Sequence, residues 1–171
     1  MMLFINGAFG VGKTAVAERL VAGLPNSLLY DPELVGAALR QIVKPIDYPE
    51  DFQDIPLWPP LTVETARLLR EQYRRDLVIP MTIWRADYFE QIVGALRGSE
   101  PEVHHFCLTA RAETIYARLR ERGAGPGWWE WERVERCVAA FQSPLFAQHL
   151  PTDDKTPDAL VAEILAAVAA S

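Results

Sequence analysis

Two hydrophobic rhythms alternate along this chain. Short apolar runs occur at Met2–Ile5, Ser27–Asp31, Leu77–Ile83 and Val103–Thr109. They lack a strict in–out alternation, as strands buried on both faces do. Between and after them, residues 14–22, 32–43, 62–75, 86–97, 111–122 and 130–141 place apolar side chains at helical spacing. Gly23 and Pro25 close the first of these helices. Leu150–Thr152 reads as a short last strand. Thr156-Pro157-Asp158 then opens a final alanine-rich helix, with a capping hydroxyl followed by proline in the first helical position. Strands that alternate with helices predict a parallel five-stranded sheet covered on both faces, a three-layer α/β/α domain. Residues 44–60 break the pattern. They mix Asp47, Glu50, Asp51 and Asp54 with five prolines, which predicts a long connecting loop. Pro80, inside the third strand, belongs at its end or at a bulge.

The first strand runs into Gly7-Ala8-Phe9-Gly10-Val11-Gly12-Lys13-Thr14, which fits GxxxxGK[ST] at every position. Such a loop wraps tightly, aims its backbone N–H groups at phosphate oxygens and adds the N-terminal dipole of the next helix. Lys13 is expected to reach the β- and γ-phosphates and Thr14 to ligate Mg²⁺. The motif occupies its required place between strand and helix. The DxxG and NKxD signatures of Ras-type GTPases are absent. The third and fourth strands do not end in an acid that would position water, as motor-type ATPases require. Asp31 is the acid that closes a predicted strand, and it fits a small-molecule kinase, in which a carboxylate accepts the proton of a substrate hydroxyl. The competing explanation is an ordinary N-cap ahead of Pro32.

Composition narrows the partners. The 171 residues suit one domain, and the formal net charge of −6 gives no long-range attraction to nucleic acid or anionic membrane. Cys107 and Cys137 lie in no metal-type spacing and read as buried reduced thiols. No secretory leader or membrane-span pattern is visible, so a cytoplasmic protein is expected.

Six of the seventeen basic residues, all arginine, fall between residues 111 and 136. At 100° per residue Arg111, Arg118 and Arg122 share a helix face, and Arg120 points away. A glycine break, Gly123–Gly127, separates them from Arg133 and Arg136. Two arginine-bearing helices around such a break predict a lid over roughly residues 118–136 that excludes water and brings guanidinium groups to the transferring phosphoryl. The bland reading is surface pairing with nearby glutamates. Trp128, Trp129 and Trp131 crowd the break and either pack as the lid closes or meet the substrate.

The segments INGAFGVGKT, YDPELVGAALR, DFQDIPLW, PMTI, YFEQIVGALR, VHHFCLTA, RLRER and RCVAAFQSPLF, with the later His and Thr-Asp, resemble the tunicamycin resistance protein family of P-loop proteins over nearly the whole length. The combination with DFQDIPLW and PMTI is the specific part. The resemblance implies a protein that binds ATP and protects against tunicamycin, a nucleoside antibiotic carrying sugars and a fatty acyl chain. It implies a nucleoside-kinase-like P-loop fold with the phosphate-loop strand central in the sheet. By similarity to related small-molecule kinases, Asp31 falls where their catalytic acid sits, and Arg118 and Arg122 fall in their lid pattern. Asp51, Phe52, Gln53, Asp54 and Trp58 become candidates for an acceptor pocket, the alternative being an ordinary surface loop. The last helix is nearly free of basic residues, which argues against membrane association.

Two readings follow. In the first, the γ-phosphoryl of Mg·ATP passes to a hydroxyl of tunicamycin or a related nucleoside or sugar. Lys13 holds phosphate, Asp31 is the base, and Arg118, Arg122 and Arg136 stabilise charge. In the second, ATP orders the lid and the closed protein sequesters the drug without chemistry. The acceptor hydroxyl, the donor base and the oligomeric state stay open.

Overall fold

The computed structural model describes residues 1–170. Five strands, β1 (Met2–Gly7), β2 (Ser27–Leu29), β3 (Asp76–Pro80), β4 (Val103–Thr109) and β5 (His149–Pro151), form one sheet in the order β2-β3-β1-β4-β5. All four pairings are parallel. β1 is central and every one of its residues is buried, which explains its unbroken apolar run. Alternate residues feed two cores. Met2 and Phe4 join Leu77, Ile79 and Cys107 on one face, while Leu3 and Ile5 join Val78, Phe106 and Leu108 on the other.

The second core is closed by α1 (Lys13–Gly23) and α8 (Pro157–Ala169), which supply Val16, Leu20, Leu160 and Ile164. The first is closed by α2 (Pro32–Val43), α3 (Trp58–Tyr73), α6 (Ala112–Glu121) and α7 (Val134–Ala140), with a mixed segment between β3 and β4. That segment runs as α4 (Ala86–Phe89), a π-helical turn (Glu90–Gly94) and α5 (Ala95–Ser99). Among the described residues no helix is long and apolar enough to cross a membrane.

The expected loop at 44–60 is shorter than its composition suggests. Phe52–Asp54 forms a 3-10 turn capped by the Asp51 carboxylate, and α3 already begins at Trp58. Pro59 and Pro60 occupy its first turn, where a missing N–H costs nothing and a fixed φ helps. Pro80 ends β3, as a residue without an N–H must. The segment read as one helix at 130–141 is a 3-10 turn, Trp131–Arg133, followed by α7.

Asn6, fully buried at the end of β1, ties the phosphate loop to the chain beyond β3. Its Oδ1 accepts from Gly7 N at 2.8 Å and Ile83 N at 2.9 Å, and its Nδ2 donates to Ile83 O at 2.9 Å. Replacing Asn6 with leucine strands three buried backbone groups at about 1–3 kcal/mol each. A loss of at least about 3 kcal/mol is expected, read as a lower midpoint in urea unfolding at unchanged m.

Candidate functional site

The phosphate loop leaves the C-terminal edge of β1, where an open parallel sheet presents its ligand crevice. Gly7 carries φ 141°, and a Cβ there would overlap the Leu108 carbonyl, so only glycine lets the loop turn this close to β4. The Lys13 ammonium folds back onto the loop and donates to Gly7 O at 3.0 Å and Ala8 O at 2.9 Å. Burial lowers its pKa to about 8, against the opposing pull of Glu33.

A cavity of about 300 Å³ opens in front of the loop. Lys13, Thr14, Asp31, Glu33, Arg122 and Trp128 contribute to its wall. The Asp31 carboxylate caps α2 by accepting from Glu33 N at 2.9 Å, and the residue also lines the cavity, so the cap does not take it away from the phosphate loop. In the sequence Glu33 looks like a dipole contact, as an acid in a first helical turn does. It lines the same cavity, and its carboxyl pKa is raised, first by desolvation and then by the Asp31 charge, with Lys13 pulling the other way.

The lid-type arginines part company. α6 ends at Glu121, so Arg122 leaves the helical face it was expected to share and turns to the cavity. Arg118 instead braces the fold. It donates to Val11 O at 3.3 Å, to Thr152 Oγ1 at 2.9 Å and to Thr152 O at 2.8 Å. Arg136 stacks over Trp84, 5.5 Å from its ring centre. The structure therefore does not bring Arg118, Arg122 and Arg136 to one point.

Two of the tryptophans pack against neighbouring rings and the third lines the cavity. Trp129 packs edge-on against Phe9 of the phosphate loop at 5.2 Å, and Trp131 packs on Tyr116 at 4.5 Å. Trp128 is half exposed and lines the cavity. Arg133 lies over Trp129 at 4.0 Å and pairs with Glu50 at 3.0 Å. Phe9, Trp129, Arg133 and Glu50 thus form a continuous chain from the phosphate loop to the acidic segment.

The acceptor candidates also sort. Trp58 is fully buried and donates its Nε1–H to Pro32 O at 3.1 Å. It is a core residue holding α2 to α3, not a platform in a pocket. Gln53 is buried and donates to Thr82 O at 2.9 Å, and Asp51 caps that turn through Gln53 N. The Asp51 pKa is raised by desolvation. Asp54 is held by Arg85 and Tyr88. Phe52 remains at the site. Its ring packs where a Cβ on Gly36 would stand, and it lines a second cavity of about 370 Å³ with Asp31, Glu33, Arg40 and Tyr48. Asp31 and Glu33 are common to both cavities, which makes them two lobes of one cleft. Cys107 and Cys137 are free and buried, with pKa values pushed up by burial to about 12 and about 11.

Lys13 gives a pH prediction. Between about pH 8 and the ordinary lysine value of 10.5 the unfolded chain binds more protons than the folded one, so this group makes stability rise with pH across that window. A bound phosphate chain favours the ammonium again. Nucleotide binding at pH 8.5–9 should therefore take up protons, more than at pH 7. Calorimetry in buffers of different ionisation enthalpy reads the uptake, which Lys13→Met should remove.

The chain shares its architecture with known proteins. A family profile described as an AAA domain matches residues 2–144. The tunicamycin resistance protein of Deinococcus radiodurans superposes with a TM-score of 0.83 at 26% identity, over 98% of this chain and 95% of that one. A gluconokinase from Sinorhizobium meliloti gives 0.69 at 17% identity, over 98% and 91%. A shikimate kinase from Bacteroides thetaiotaomicron gives 0.62 at 12%, over 98% of both chains. No curated protein sequence matches significantly. The likeness to a tunicamycin resistance protein first visible in the motifs thus extends through the whole fold. With its phosphate loop on the central strand of a parallel sheet and a matching profile over most of its length, the chain belongs to the AAA-domain family and has the P-loop kinase-like fold.

Proposed function

We propose that this protein transfers the γ-phosphoryl group of ATP to a hydroxyl of a small polar acceptor. The observation that carries the reading is one cleft in which the phosphate-loop lysine faces two carboxylates, Asp31 and Glu33. Backbone N–H groups of residues 7–14 and the Lys13 ammonium hold the phosphate chain, and Arg122 meets charge that develops on the transferred group.

Among the described residues no cluster of three His, Cys, Asp or Glu side chains offers a metal cage. Mg²⁺, the ion that accompanies ATP, takes one or two protein ligands and fills its shell with water and phosphate oxygens. Thr14, exposed at the start of α1 in the cavity wall, would hold it, with Asp31 facing the same space. Bound there, the ion would neutralise phosphate charge.

Glu33 takes the proton of the acceptor hydroxyl. Its raised pKa brings it nearer the operating pH than an ordinary carboxylate. The hydroxyl oxygen forms a bond to the γ-phosphorus, the bond to the β–γ bridging oxygen breaks, and ADP leaves. Asp31, which accepts from the Glu33 backbone N–H, lines the same cavity and keeps the site negative, holding the Glu33 pKa up.

Tunicamycin, or a related nucleoside or sugar hydroxyl, is the first acceptor to test, on the strength of the likeness to the D. radiodurans protein. The experiment is ADP release with tunicamycin, nucleosides, neutral sugars and sugar acids in separate reactions. Acceptor-dependent release supports transfer. ATP-dependent retention of tunicamycin with no ADP formed sinks transfer and supports sequestration.

A further inference from the structure

Each lobe of the cleft contains one arginine whose guanidinium has no hydrogen bond or ion pair among the described residues. Arg122 stands on the phosphate side. Arg40 stands in the other lobe, with its Nε buried and unpartnered and its guanidinium stacked over Tyr48, 4.7 Å from the ring centre. Other arginines of comparable exposure, such as Arg70 and Arg133, are tied to carboxylates. Arg40 thus lies against the Tyr48 ring with no carboxylate paired to it, and its terminal N–H groups are of the kind that grip two oxygens of an anionic group side by side.

Position gives the rest. Glu33 and Arg40 are seven residues apart on α2, so their side chains leave the helix within about 20° of each other and about 10 Å apart along its axis. Both line the same lobe, with Ala37 between them and Tyr48 and Phe52 alongside. A molecule that offers a hydroxyl to Glu33 at one end therefore meets a fixed cation at the other. We propose that Arg40 is an acceptor-binding residue and that the natural acceptor carries a carboxylate or phosphate group apart from the hydroxyl that is phosphorylated. The inference rests on the phosphotransfer reading for what happens at Glu33, but not for what binds at Arg40.

The test uses the full chain saturated with a nonhydrolysable ATP analogue. Tryptophan fluorescence reads the binding of three probes of one size: lactobionate, α-lactose 1-phosphate and neutral lactose. At least one anionic probe should bind about tenfold or more tighter than lactose, and the better of the two tells carboxylate from phosphate. Arg40→Ala should erase the preference, and Arg40→Lys, which keeps the charge and loses the fork, should keep part of it. Both variants should bind the ATP analogue as the parent does, which reports an intact fold. Equal binding of all three probes, no binding of either anion, or a preference that survives in Arg40→Ala overturns the inference. With Mg·ATP in place of the analogue, an anionic probe that binds through Arg40 but is never phosphorylated sinks the transfer reading and leaves this one standing. Lactose phosphorylated as readily as the anions does the reverse.

Discussion

Lys13→Ala removes acceptor-dependent turnover, with kcat/KM falling by about 10³-fold or more. The ammonium is the one fixed cation inside the phosphate loop, held 3.0 Å from Gly7 O and 2.9 Å from Ala8 O and ready to move onto phosphate oxygens. Its loss leaves the charge of the transferring group to Arg122 and to whatever the loop N–H groups supply. Stability should not fall with activity. A charge that burial has already weakened to a pKa of about 8 contributes little to the ligand-free fold, so unfolding without nucleotide should be unchanged or slightly later. The clearest readout is the stabilisation by ATP. Saturation at a hundred times Kd adds about 2.7 kcal/mol to the parent protein, and thermal unfolding of Lys13→Ala should show almost none of it.

Glu33→Gln lowers kcat by about 10²–10⁴-fold and leaves ATP affinity nearly unchanged, because the substitution removes a proton acceptor and keeps the shape of the side chain. Asp31→Asn is the informative partner. Asparagine caps a helix as well as aspartate does, so α2 should keep its start and the protein its stability. Its effect on kcat should be smaller than that of Glu33→Gln, since Asp31 acts on the reaction through Glu33. It should also shift the pH profile. The Glu33 carboxyl lies above its ordinary value partly because Asp31 is negative, so neutralising Asp31 should move the acid limb of kcat to lower pH. Rates measured from pH 4 to 8 check both statements. A larger loss in Asp31→Asn than in Glu33→Gln would exchange the roles of the two carboxylates.

The features legible in the sequence are those encoded locally. A glycine-rich loop between a buried strand and a helix fixes its own backbone, so residues 7–14 could be placed without the fold. The parallel sheet followed from apolar runs and helical spacing. The parts that were missed depend on distant packing. Trp58 looks like an aromatic in a polar loop until its indole is seen to donate to Pro32, twenty-six residues earlier. Gln53 looks like a ligand-reading amide until it reaches Thr82. The arginine pattern failed over a single helical boundary. With α6 ending at Glu121, Arg122 turns into the cleft and Arg118 stays behind to bind Thr152. Glu33 and Arg40 were hidden for the opposite reason, because an acid in the first turn and a base in the last turn of a helix already have an explanation in the helix dipole.

The most direct measurement is intact-mass analysis of a mixture of tunicamycin, neutral disaccharides and disaccharide acids after incubation with the protein and Mg·ATP, with Lys13→Ala and Glu33→Gln alongside. One component should gain the mass of a single phosphoryl group, with none gained in Lys13→Ala and only a trace in Glu33→Gln. Unchanged masses for every component, while the parent protein retains one of them only in the presence of ATP, would contradict phosphoryl transfer and leave a nucleotide-gated binding protein in its place.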